Sequence, residues 1–117
     1  MICRVWRGWT TPENAAAYQA LLASEIMPSI HARGIPGLLG HEALRRDIIS
    51  PDGAHEVEHM TLMWFRSLED IEGFVGTPID RANLPPKALE ILKRWDERVS
   101  HFERFDQAQS SPSCGQS

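Results

Sequence analysis

Cysteine is scarce in this chain: Cys3, beside the N-terminus, and Cys114, in a polar tail, are the only two in 117 residues. Their placement makes neither a disulfide framework nor a CxxC metal or redox motif, so both are expected as reduced thiols. Blocks of lysine or arginine are missing too. Twelve basic against sixteen acidic residues leave a net charge of −4, and a nucleic-acid partner, which needs a phosphate-tracking basic stripe, is not expected. Long apolar runs are also absent. The longest uncharged stretch near the N-terminus, Asn14 to Ser24, falls far short of the roughly 20 apolar residues of a membrane span and is interrupted by polar side chains. Arg4 and Arg7 alternate with apolar residues from the start, unlike a signal peptide, so a cytoplasmic location without a membrane partner is expected. No G-x-S-x-G turn occurs, and the glycines at 34, 37 and 40 do not follow the Walker pattern; neither nucleophilic catalysis nor a nucleotide cofactor is indicated.

What is present is an ordinary globular composition, 42% hydrophobic and 24% charged, at a length that supports one modest core. The segment MICRVWRGW places apolar side chains on both parities, as in a strand covered on both faces. Thr10, with Glu13 three residues on, or Thr11, with Pro12 next, can cap a helix running to about Arg33, which Pro28 should kink or end near Met27. Gly34-Ile35-Pro36-Gly37 reads as a turn, and Leu38–Ile49 and Val57–Phe65 as a hairpin across Ser50-Pro51-Asp52-Gly53. Ser67 should cap a helix over SLEDIEGFVG, ended by Gly73 or Gly76 and Thr77-Pro78. A third helix is expected over Pro86 to Glu97, and a last strand over Val99 to Phe105. The order β-α-β-β-α-β, with one extra helix, is the ferredoxin-like α+β pattern with an antiparallel sheet over residues 1–105. Residues 106–117, DQAQSSPSCGQS, should form a disordered polar tail. The run Met60 to Phe65 is apolar on both parities, whereas helices cover only one sheet face, so a homodimer joined through the sheet faces is expected.

With these elements placed, the sequence resembles the antibiotic biosynthesis monooxygenase family of dimeric α/β barrels. The resemblance rests on MICRVWRG, on TLMWFRSLEDIEGFVG, on Ala82 followed four residues later by Pro86, and on Val99-Ser100-His101-Phe102-Glu103. It implies a cleft between sheet and helices, and in some members oxygenation of phenolic molecules. Two departures stand out. The family's third strand usually ends Trp-x-Ser; aligning on Ser67 puts Phe65 at the tryptophan place and Trp64 on the opposite face unless a bulge intervenes. Haem-degrading relatives carry a histidine on the following helix, and none occurs here between His59 and His101, so haem is not expected and no cofactor is assigned.

Candidate catalytic residues are His101, in the last strand, and His59, in the third, because an imidazole titrating near neutrality can deprotonate a phenol. Either could instead satisfy a buried backbone group. Arg4 and Trp6 share a parity that would face the cleft, where a guanidinium beside an indole can bind a flat anionic or phenolic ligand; the alternative is an arginine stem covering the indole. Trp64 and Phe65 are candidate aromatic walls for substrate binding. His55 and His59 would stand about 13 Å apart in a strand, too far for one metal, and no metal site is expected. His31 should serve the end of its helix, while His41 should lie at the surface or the dimer seam. The function expected is a small cofactor-independent monooxygenase acting on an aromatic molecule. The alternative is a non-catalytic dimeric binding or stress-response module of the same fold.

Overall fold

A computed structural model describes residues 1–110; Cys114 and the rest of the expected tail, residues 111–117, lie outside them. Strand β1 (Ile2–Thr10) is central, as its apolar content on both parities requires. It pairs antiparallel along its whole length with β3 (His55–Phe65), and β3 pairs antiparallel with β2 (Leu38–Ile49). The other edge of β1 is shared. β5 (Ser100–Glu103) takes Ile2 to Val5, and the two-residue β4 (Arg94–Trp95) takes Gly8 and Trp9.

Thr11 opens the first helical segment with Pro12 at its first position, while Thr10 ends β1 as a fully buried strand residue. A short 3₁₀ turn leads into α1 (Ala15–Leu21), followed by a π-turn over Leu22–Ile26 and then α2 (Met27–Ala32). The π-turn explains how the chain carries Pro28. Proline has no N–H and its ring crowds the carbonyl four residues back. The wider turn, closed by Met27 N–H on the Leu22 carbonyl, ends one regular helix and starts another just before it. Gly34 and Gly37 take φ of 61° and 81° in the turn before β2, a region that favours glycine.

The Ser67 hydroxyl accepts from Asp70 N–H at 3.2 Å and caps α3 (Leu68–Val75), which Gly76 ends at a φ of 77°. The third helix is shorter than expected. α4 (Pro86–Ile91) stops at Leu92, because Lys93 N–H bonds the Trp9 carbonyl at 2.7 Å and Asp96 N–H the Arg7 carbonyl at 2.9 Å. The open edge of β1 thus captures as β4 a segment whose local spacing suits a helix. The last strand is likewise trimmed to four residues.

The core lies between the helices and one sheet face, where Phe65 and Ile71 are completely buried beside Tyr18, Met27 and Met63. On the other face, Glu56 and Glu58 sit beneath a layer of cations. Glu56 is 2% exposed and pairs with Lys93 and Arg94, each at 2.8 Å; Glu58 pairs with Arg46 at 2.8 Å. Hydrogen bonds from Arg94 and then Lys93 hold the Glu56 carboxyl below its ordinary range, against the opposing push of burial. A depressed folded-state pKa adds stability that is present above the unfolded value and lost as pH falls through the folded one. Glu56→Gln should therefore be less stable than the parent at pH 7, by about 1–3 kcal/mol. Urea unfolding of the two proteins should converge as pH falls below the ordinary carboxyl range; a difference that persists unchanged in acid would contradict the ion pair.

Candidate functional site

A cleft opens between the sheet and the helices, lined by Arg4, Trp6 and Thr61 from the sheet, Tyr18 from α1, and Phe74 from α3. Register explains the sheet residues. Arg4 pairs with Met63 and Trp6 with Thr61, so all four project to the helix side. The inner slot has a volume of about 90 Å³. It shares Ile26, Ile30, Phe74 and the segment from Ala82 to Pro85 with a wider groove of about 690 Å³, whose lining includes Glu25, Arg33 and Lys87.

Trp6 is 8% exposed and donates from Nε1 to the Asp96 carbonyl at 2.9 Å, so its ring gives the cleft an apolar wall and no free donor. Tyr18 lies 6.5 Å from it, centroid to centroid, at a tilt of 40°. Burial pushes the Tyr18 phenol upward, keeping it a neutral hydroxyl. Thr61 is distinctive: its Oγ1 is the one buried side-chain polar atom without a hydrogen-bond partner among the described residues. A buried hydroxyl left unpaired costs about 1–3 kcal/mol.

Arg4 and His101 do come together, but on each other. Arg4 Nη1 stands 3.0 Å from His101 Nε2 and donates at 2.6 Å to the Ile79 carbonyl, while Nη2 donates at 2.9 Å to the Arg81 carbonyl. Arg4, 6% exposed as a residue, therefore ties down the segment leading to Ala82 and Pro85 of the cleft wall. Burial lowers its pKa to about 10, with Asp80 opposing. Arginine donates only, so His101 Nε2 must accept and carry its proton on Nδ1. Burial first, then the Arg4 charge, pushes the His101 imidazole down and keeps it neutral, against Asp80.

The other sequence candidates are placed elsewhere. His59 is 4% exposed, with Nε2 3.0 Å from the Thr10 hydroxyl and its ring edge-on to Tyr18 at 4.8 Å. It stands behind Tyr18 and borders a separate opening with Gln19 and Arg45. Phe65 faces the helices but is sealed behind the slot, packed on Phe74 at 5.7 Å. Trp64 does not wall the cleft. With no bulge between it and Phe65 in the β1–β3 register, it lies on the opposite sheet face, where its Nε1 donates to Glu42 and Arg104 covers its ring. Thr61 and Tyr18 line the slot without being marked by the sequence. Thr61 shares the parity of Phe65, but no sequence signal marks a hydroxyl as unpaired. No group of three or more histidine, cysteine or acidic residues is placed to hold a metal among the described residues. No helix there is long and apolar enough to cross a membrane.

No protein-family model matches the chain, and no curated protein matches its sequence. Solved structures do match. An ethyl tert-butyl ether D (EthD) family protein from Bacillus halodurans C-125 has a TM-score of 0.54 at 20% identity, over 90% of this chain and 100% of its own. A monooxygenase from the gene ActVA-Orf6 of Streptomyces coelicolor, in complex with nanaomycin D, has a TM-score of 0.50 at 15% identity, over 94% of this chain and 92% of its own. Identities this low speak to architecture rather than activity. The chain has the ferredoxin-like α+β fold of these two proteins, the fold that its resemblance to the antibiotic biosynthesis monooxygenases implied.

Proposed function

We propose that this chain is a monooxygenase-like protein that takes a flat phenolic or quinone-type molecule into the cleft between sheet and helices, without haem or another cofactor. The observation that carries the reading is a slot walled by Trp6, Tyr18 and Phe74, with Thr61, whose hydroxyl has no partner, among its lining residues. Aromatic walls favour a flat ring, and buried hydroxyls favour a ligand oxygen. The slot admits the edge of a ring while the groove holds the remainder. In oxygenation, an electron-rich phenol reduces dioxygen itself: one oxygen atom enters the ring to give a quinone and the other leaves as water. The protein would orient the ring, exclude water and manage the proton. Proton abstraction by His101 requires its Nε2 to exchange Arg4 for substrate. That occupied nitrogen, on a histidine that does not line the slot, is the observation in favour of a second reading, a binding module without turnover.

Thr61→Val separates the binding claim from a packing role. Removing an unpaired buried hydroxyl should raise stability slightly, by up to about 1 kcal/mol, and weaken binding of a naphthoquinol or phenol probe by about 1 kcal/mol or more. Fluorescence titration and urea unfolding measure the two effects. Unchanged affinity would remove Thr61 from the site. Oxygen uptake on mixing with the same probes distinguishes enzyme from module.

The homodimer belongs to the same proposal. Val5, Met60, Leu62 and Trp64 are half-exposed on the outer sheet face, and Leu44 and Phe102, 55% and 58% exposed, extend the patch by register. Light scattering at micromolar concentration should give about twice the 13.2 kDa chain mass. A monodisperse monomer would count against covering this face with a second copy.

A further inference from the structure

Outside the cleft, two histidines that sequence spacing does not connect meet on the surface. His31, at the end of α2, and His41, on β2, face each other across the turn between those elements, with His31 Nε2 2.8 Å from His41 Nδ1 and ring centroids 5.0 Å apart. We propose that this pair is a binding site for a divalent late transition-metal ion, of the Ni²⁺, Cu²⁺ and Zn²⁺ class, held by two imidazole nitrogens with water in the remaining positions.

An imidazole nitrogen binds such ions at about 2.0–2.1 Å. Two nitrogens at right to tetrahedral angles about one ion are then about 2.9–3.3 Å apart. The observed pair needs to open by a few tenths of an ångström, within reach of side-chain rotation at an exposed His31 and a half-buried His41. In the observed hydrogen bond one facing nitrogen carries the proton; its shift to the far nitrogen of the same neutral ring, Nδ1 of His31 or Nε2 of His41, frees both facing lone pairs for the ion. Burial, then the neighbouring His31, pushes the His41 imidazole down, against Glu42, which favours the neutral ligand form. Imidazole suits this ion class better than Mg²⁺ or Ca²⁺, which prefer oxygen.

The site has a structural consequence. α2 carries Met27 and Ile30 of the cleft lining, so an ion bridging His31 and His41 would fasten that wall to the edge strand. Neither histidine lines the cleft, and the metal site stands or falls independently of the ligand reading.

Calorimetric titration of the 117-residue chain with NiCl₂ and with ZnCl₂ at about pH 7.5 should give one ion per chain. His31→Ala and His41→Ala should each weaken binding at least tenfold, with His55→Ala, a strand histidine outside the pair, as the unchanged control. A second measurement needs no variant: substoichiometric Ni²⁺ should broaden the ring resonances of His31 and His41 before those of His55, His59 and His101. The melting midpoint of the parent should rise with added ion, and that of either variant should not. Absence of binding, binding that survives both substitutions, or broadening that begins at another histidine would each overturn the site.

Discussion

Trp6→Ala should lower the free energy of unfolding by about 3–5 kcal/mol, a large share of the roughly 5–15 kcal/mol that stabilises a domain of this size. Trp6 is 8% exposed, packs in the core with Tyr18 and Leu92, and donates to the Asp96 carbonyl. Truncation removes a large apolar surface and leaves that carbonyl without its indole donor. Gly8 reinforces the expectation, since a Cβ there would meet the Trp6 ring at 2.5 Å and Leu92 at 2.9 Å; the indole already occupies the space above the strand. Trp6→Phe should keep most of the packing and cost about 1–3 kcal/mol, chiefly through the lost bond. Urea unfolding monitored by circular dichroism gives both values. Near-wild-type stability in Trp6→Ala would mean that the indole is not part of the core.

Arg4→Gln is expected to destabilise by about 2–3 kcal/mol, because hydrogen bonds from a charged donor to two carbonyls are lost together. Sequence alone assigns this arginine to a flat anionic or phenolic ligand. The observed contacts change that expectation: two guanidinium nitrogens already serve Ile79, Arg81 and His101. Loosening the segment beside Ala82 and Pro85 should weaken neutral and anionic ring ligands alike, and relief from the Arg4 charge should move the His101 imidazole upward. Titration of the His101 ring by NMR checks the second effect. A loss confined to anionic ligands, with stability and the His101 titration unmoved, would restore the charge-binding role.

Most of the architecture was legible because its signals are local. Apolar side chains on both parities placed β1 and β3 inside a covered sheet, Ser67 followed by Asp70 marked the start of α3, and Pro28 marked the break in the first helix. Strand parity also separated Trp64 from Phe65, since neighbouring side chains point to opposite faces unless a bulge shifts them. Parity says which way a side chain points and not what it meets. Which donors of Arg4 are spent, that His59 turns to Thr10 and Tyr18, and that Thr61 is left without a partner depend on residues dozens of positions away, 75 and 97 for the Arg4 bonds to Ile79 and His101. The same holds for Lys93 to Asp96, where helical spacing yields to the open edge of β1. An unpaired strand edge offers backbone hydrogen bonds that a short helix end cannot match, and only the assembled sheet brings that edge within reach.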